Sequence, residues 1–144
     1  MKQEALDRFA YRFIKRWLRR LYLRDWSVTV AWDSQTEIDE GASYSALAYT
    51  HFNPATQAAH MHLSDERHWQ VHDGDGHDYL PDTLVHELVH LKLLLAEDRL
   101  ESMKPLFKSY IPEVAQPGFF GRLIDIREAY VETVTQLVLD LEAK

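Results

Sequence analysis

Apolar side chains at Leu6, Phe9, Ala10, Phe13, Ile14, Trp17, Leu18 and Leu21 recur three and four residues apart, which predicts an amphipathic helix from Gln3 to about Leu23. Arg8, Arg12, Lys15, Arg16, Arg19 and Arg20 fall on its other side. The period then shortens to two. Trp26 to Trp32 alternates large apolar with small or polar residues and reads as a strand. Acids and a glycine between Asp33 and Gly41 mark a turn, Ala42 to Phe52 a second strand, and Asn53-Pro54-Ala55-Thr56 a tight turn. Gln57 to Ser64 is a third strand, hairpin-paired with the second, and the three are expected to form a small antiparallel sheet. In the third strand Ala59, Met61 and Leu63 share one face, while His60 and His62 share the other, as on a half-solvated strand. Were it a sheet edge, it would offer unpaired backbone groups to an extended peptide.

Asp65 to Tyr79, with His68, His72 and His77, lacks a period and reads as a loop over a site. Its Asp73-Gly74-Asp75-Gly76 run leaves a calcium loop as the alternative, although with Asp73 as the first residue the glycine at the sixth place and the glutamate at the twelfth are missing. The apolar run from Leu80 to Ala96 is helical, with Pro81 suited to the first turn, Asp78 and Asp82 near a positive helix end, and Leu84, Leu88, Leu91 and Leu95 at helical spacing. Asp98 to Glu113 is mixed and broken at Pro105 and Pro112. A last helix runs from about Phe119 to Glu142, its apolar arc made of Leu123, Ile126, Tyr130, Val134, Leu137, Val138 and Leu141. The expected architecture is α+β: an N-terminal helix, a small sheet, a histidine-bearing helix and a C-terminal helix, in one domain spanning 1–144.

Composition narrows the classes. With 46% hydrophobic and 12% aromatic residues the chain has material for a core, and with no cysteine it has no disulfide, thiolate nucleophile or cysteine metal site. Residues 1–24 hold eight Lys and Arg against two acids, whereas the remaining 120 hold eight against twenty-one. A basic arm therefore precedes an acidic body. Asp and Glu early in the chain argue against a secretory signal, and no run approaches the roughly 18 apolar residues of a membrane span. A soluble, cytoplasmic protein is expected. The basic face is solvated or touches nucleic acid or an acidic partner, since clustered cations attract phosphates without regard to sequence.

The chemistry concentrates in His86-Glu87-Leu88-Val89-His90. Four-residue spacing on a helix puts both imidazoles on one face, where two neutral ring nitrogens can meet a single zinc ion at about 2.0–2.1 Å. Glu87, one step round, is placed to take a proton from a water held by the ion. The bland alternative is a buried polar set satisfied within the core. Glu97 lies too far along the helix to share the ion, at about 10 Å beyond His90 by a 1.5 Å rise per residue.

These five residues resemble the zincin signature, which implies a zinc-dependent peptidase acting on peptide or protein substrates. Arg127-Glu128-Ala129-Tyr130-Val131-Glu132 is similar to the downstream glutamate helix of the gluzincin branch. That resemblance makes Glu128 the third ligand and Glu132 the carboxylate orienting a histidine, with Glu here where the thermolysin-type pattern has Asp. Read from the helix alone, Glu128 lies on the rim of the apolar arc, and two solvated glutamates are the alternative. The metzincin continuation, SprT-type proteins and histidine-repeat ribonucleases fit worse, because no histidine follows His90. Element order is similar to minimal gluzincins, including the ImmA/IrrE-type peptidases. Tyr130, His77, His72 and Tyr110 are candidate oxyanion donors. The competing class is a zinc-stabilised regulatory or binding module that cleaves nothing and uses its basic helix to contact nucleic acid or a protein.

Overall fold

A computed structural model of the chain describes residues 2–42, 46–72, 79–94, 105 and 108–143. The fold is α+β and divides into two compact units, Met1–Leu91 and Lys92–Lys144. Among the described residues no helix is long and apolar enough to cross a membrane.

The first unit opens with α1 (Gln3–Arg20), followed by β1 (Ser27–Asp33), α2 (Gln35–Ala42), β2 (Ala48–Asn53), β3 (Ala58–Ser64) and α3 (Leu80–Lys92). The predicted periodicity holds in α1, whose Leu6, Ala10, Phe13, Ile14 and Trp17 are buried. The helix stops where Tyr22 takes a left-handed φ of 58° and the Leu23 N–H reaches back to the Leu18 carbonyl at 2.7 Å, a terminating loop that satisfies an orphan helical acceptor.

Two expectations are corrected here. The sheet is mixed rather than antiparallel, in the order β1-β3-β2, with β3 parallel to β1 and antiparallel to β2. The β2–β3 hairpin inserts its second strand between the first two, so β3 is central and its backbone is paired on both sides. Strand addition on β3 is thereby excluded. The stretch after Asp33 is a helix, α2, and not a turn. Its start is a capping box: the Glu37 N–H donates to Ser34 Oγ at 3.3 Å while the Ser34 N–H donates to Glu37 Oε2 at 2.9 Å.

The register sorts the sheet into two faces. Val28, Val30 and Trp32 stand beside Ala59, Met61 and Leu63, which pair with Phe52, Thr50 and Ala48. This is the core face, where Ala59, Met61 and Leu63 are wholly buried. Burying a side chain the size of Met61 or Leu63 contributes about 1.5–3 kcal/mol. The Trp32 indole N–H donates to Asp7 Oδ1 at 3.0 Å, tying α1 to the sheet.

On the opposite face β2 and β3 carry Tyr49, His51, His60 and His62. The Tyr49 and His62 rings stack at 4.4 Å, His51 meets both edge-on, and His62 Nδ1 lies 2.5 Å from Asp33 Oδ2. His60 Nδ1 is bonded to the Thr29 hydroxyl. Desolvation, then the neighbouring His62 and His60, lowers the His51 pKa, while burial followed by Asp33 and Glu37 raises that of Tyr49. A histidine whose folded pKa lies below its unfolded value binds its proton more readily when unfolded. Stability therefore falls as pH drops below about 6.5, the ordinary imidazole value, and levels off once the folded ring is charged as well. Thermal melts across pH 5–8 should show this loss, and His51→Gln should reduce it.

Gly41 of α2 lies against the same face. A Cβ built there would stand 2.2 Å from the Tyr49 ring, closer than any side chain tolerates. Gly41→Ala must displace a ring already stacked on His62. The substitution should cost about 1–3 kcal/mol in denaturant unfolding, the usual range for overpacking.

In the second unit a short 3-10 turn at Glu113–Ala115 leads into α4 (Gln116–Ala143), which begins three residues before the predicted start, with Pro117 in its first turn. The predicted apolar arc is covered in part: Leu123, Val134 and Val138 are half-buried but Ile126, Tyr130, Leu137 and Leu141 are exposed, while Val131 and Thr135, outside the arc, are buried. Three- and four-residue steps from these two lead back to Glu128 and Ile124, both half-buried, so Glu128 belongs to the covered stripe.

Candidate metal centre

α3 is apolar almost all round. Leu80, Leu84, Val85, Leu88, Val89 and Leu91 are buried, and the residues that stay more open are Asp82 and His86, one turn apart, and the terminal Lys92. His90, one turn beyond His86, is 9% exposed, and its ring centroid is 5.0 Å from that of His86 in an edge-on arrangement. The four-residue spacing thus brings the imidazoles together one turn apart on one face of the helix, as expected.

Glu87, one residue round, is 5% exposed. A buried carboxylate needs donors to replace lost water. Thr50 supplies one, its hydroxyl donating to Glu87 Oε2 at 2.6 Å. Thr50 is the polar member of the core face of β2, and the bond fixes the carboxylate against the sheet. Sequence reading did not single out Thr50. The available signal was an inward-facing hydroxyl between Ala48 and Phe52.

Glu128 sits half-buried on α4 with its Oε1 3.7 Å from the Arg127 Nε. Among the described residues His86, His90 and Glu128 are a group that could hold a metal ion. Two nitrogens and a carboxylate oxygen suit a borderline divalent cation.

The other predicted residues lie as follows. Glu132 is exposed and accepts a hydrogen bond from Gln136 Nε2 at 3.2 Å. Tyr130, 58% exposed, is two residues from Glu128 and hence about 200° round α4 from it. Tyr110 is 80% exposed. His72 lines a cavity beside α1, and His77 lies outside the described residues.

The Thr50 to Glu87 bond makes a prediction for any reaction in which Glu87 moves a proton. Thr50→Val keeps the shape and removes the donor, leaving the carboxylate free to turn. Activity should fall about tenfold with metal content unchanged, the scale seen when a partner of a site residue is lost, and Thr50→Ser should restore it. Comparison of the chain with family models, curated proteins and solved structures finds no match.

Proposed function

We propose that the protein is a zinc-dependent peptidase of the zincin type, with His86, His90 and Glu128 as metal ligands and Glu87 as the proton carrier. The observation that carries this reading is the combination on one helix of two imidazoles a turn apart and a buried carboxylate oriented from the sheet. A structural zinc site needs four protein donors and no adjacent base. Among the described residues the candidate group has three donors, the number that goes with a coordination position kept for water or substrate, and Glu87 stands one residue from His86. A bound zinc ion would supply Lewis acidity toward the scissile carbonyl and toward water.

The chain's own residues supply the rest. Glu87 accepts a proton from the water that attacks the carbonyl carbon, and delivers it to the departing amine nitrogen when the carbon–nitrogen bond breaks. Thr50 holds that carboxylate in one rotamer through both transfers. The hydrophobic packing of Leu84, Leu88 and Leu91 fixes the helix and, through it, the spacing of the imidazoles. Glu128 adds a negative donor that offsets part of the cation's charge.

The experiment is cleavage of a mixed peptide library by the chain loaded with one equivalent of zinc. New termini should appear, stop on addition of a chelator and return with zinc. A metal-bound chain that leaves every peptide intact would favour the non-cleaving binding module.

A further inference from the structure

The basic face of α1 borders a cavity of about 480 Å³ lined by Arg8, Arg12 and Arg16, by Phe9 and Phe13, and by His72. None of these residues belongs to the metal group. We propose that this cavity binds a nucleoside phosphate, free or as one unit of a single-stranded nucleic acid, with phosphate on the guanidiniums and the base against Phe9.

The three arginines are spaced four residues apart, which sets them in one row with a rise of about 6 Å between neighbours. All three are exposed, and among the described residues no carboxylate pairs with Arg8 or Arg12. Like charges held this close repel one another, and a bound anion relieves the repulsion. Guanidinium is also the side chain best suited to phosphate, because its planar fork donates two parallel hydrogen bonds.

The aromatic residues separate a nucleotide from a merely acidic partner. Phe9 and Phe13 stack at 5.7 Å, and the Arg16 guanidinium lies over the Phe13 ring at 5.3 Å, so a cation and two rings pack against one another beside the cavity. Phe13 is buried while Phe9 is half-buried, leaving ring surface for another π-system. Bases stack on such platforms whatever their sequence, whereas an aspartate or glutamate side chain has nothing to stack. The volume lies within the 300–1,000 Å³ usual for small-molecule sites. A plain solvated helix face requires neither the cavity nor the ring surface.

The test uses the full chain and three probes: a fluorescent twelve-residue oligothymidylate, adenosine triphosphate and a fluorescent oligoglutamate of equal length. The oligonucleotide should bind with a log–log salt slope of about −2, three phosphate contacts at about 0.7 each. Arg12→Ala should weaken binding about tenfold and make the slope shallower by about 0.7. Phe9→Ala should weaken it fivefold or more at an unchanged slope, and Phe9→Trp should restore it. Competition by adenosine triphosphate would assign the site to free nucleotides, and binding of the oligonucleotide alone to a strand. Oligoglutamate binding as tightly as the oligonucleotide, insensitivity to both Phe9 variants, or no binding by either nucleotide probe would overturn the proposal.

Discussion

Glu87→Gln is expected to retain a full equivalent of zinc and to lose peptide cleavage by about 10²–10⁴-fold, the contribution usual for a positioned proton-transfer group. The substitution preserves volume and keeps an acceptor oxygen for the Thr50 hydroxyl. It removes the group able to take a proton from water, while the imidazoles of His86 and His90 are untouched. The loss should therefore fall in kcat, with KM and metal affinity little changed. Metal content by mass spectrometry and kcat by peptide assay separate these effects. Equal activity in the variant would remove Glu87 from the chemistry, whatever the metal does.

His90→Ala should act on the other half of the site and reduce zinc affinity at least a hundredfold, since losing even an outer partner of a ligand costs 10–100-fold. His90 is nearly buried in an apolar helix face, so the substitution also leaves a small cavity beside Leu91. Thermal melts distinguish the two consequences. The parent chain should gain stability from zinc, by about 2.7 kcal/mol at a hundredfold excess over its Kd, and the variant should gain no more than about 0.4 kcal/mol at the same concentration. A variant whose midpoint rises with zinc as far as the parent's would show that the ion binds elsewhere. Glu128→Gln provides the intermediate case, because an amide oxygen is a weaker donor without charge.

The long periodic elements were legible in the sequence, and the short or non-local ones were not. α1 and α3 repeat their apolar positions over several turns, and the predicted Leu6, Ala10, Phe13, Ile14 and Trp17 of α1 and Leu84, Leu88 and Leu91 of α3 are buried. α2 has eight residues and a single buried apolar side chain, Ile38, and the Ser34–Glu37 capping box was its one clear sign. The pairing of β1 with β3 was hidden for a different reason. Alternation tells which face a residue occupies but not which strand lies alongside, and the partner was set by the hairpin inserting β3 between β1 and β2.

At the candidate site, the His86 and His90 spacing follows from helix geometry alone and could be read directly. Glu128 was harder, because the apolar arc of α4 pointed to Ile126, Tyr130 and Leu137, which are exposed, rather than to the Glu128, Val131 and Thr135 stripe. A 28-residue helix rich in apolar residues on several sides does not announce which side is covered. Thr50 escaped notice because a threonine fits an inward strand position on β-propensity alone. Its role emerges only once α3 places Glu87 opposite it.

Zinc-edge X-ray absorption on the chain loaded with one equivalent of metal tests the central claim most directly. The account predicts two imidazole nitrogens at about 2.0–2.1 Å with oxygen donors completing the set, and one imidazole signal lost in His90→Ala. A site with fewer than two imidazoles, or a spectrum unchanged in both His90→Ala and Glu128→Gln, would contradict it.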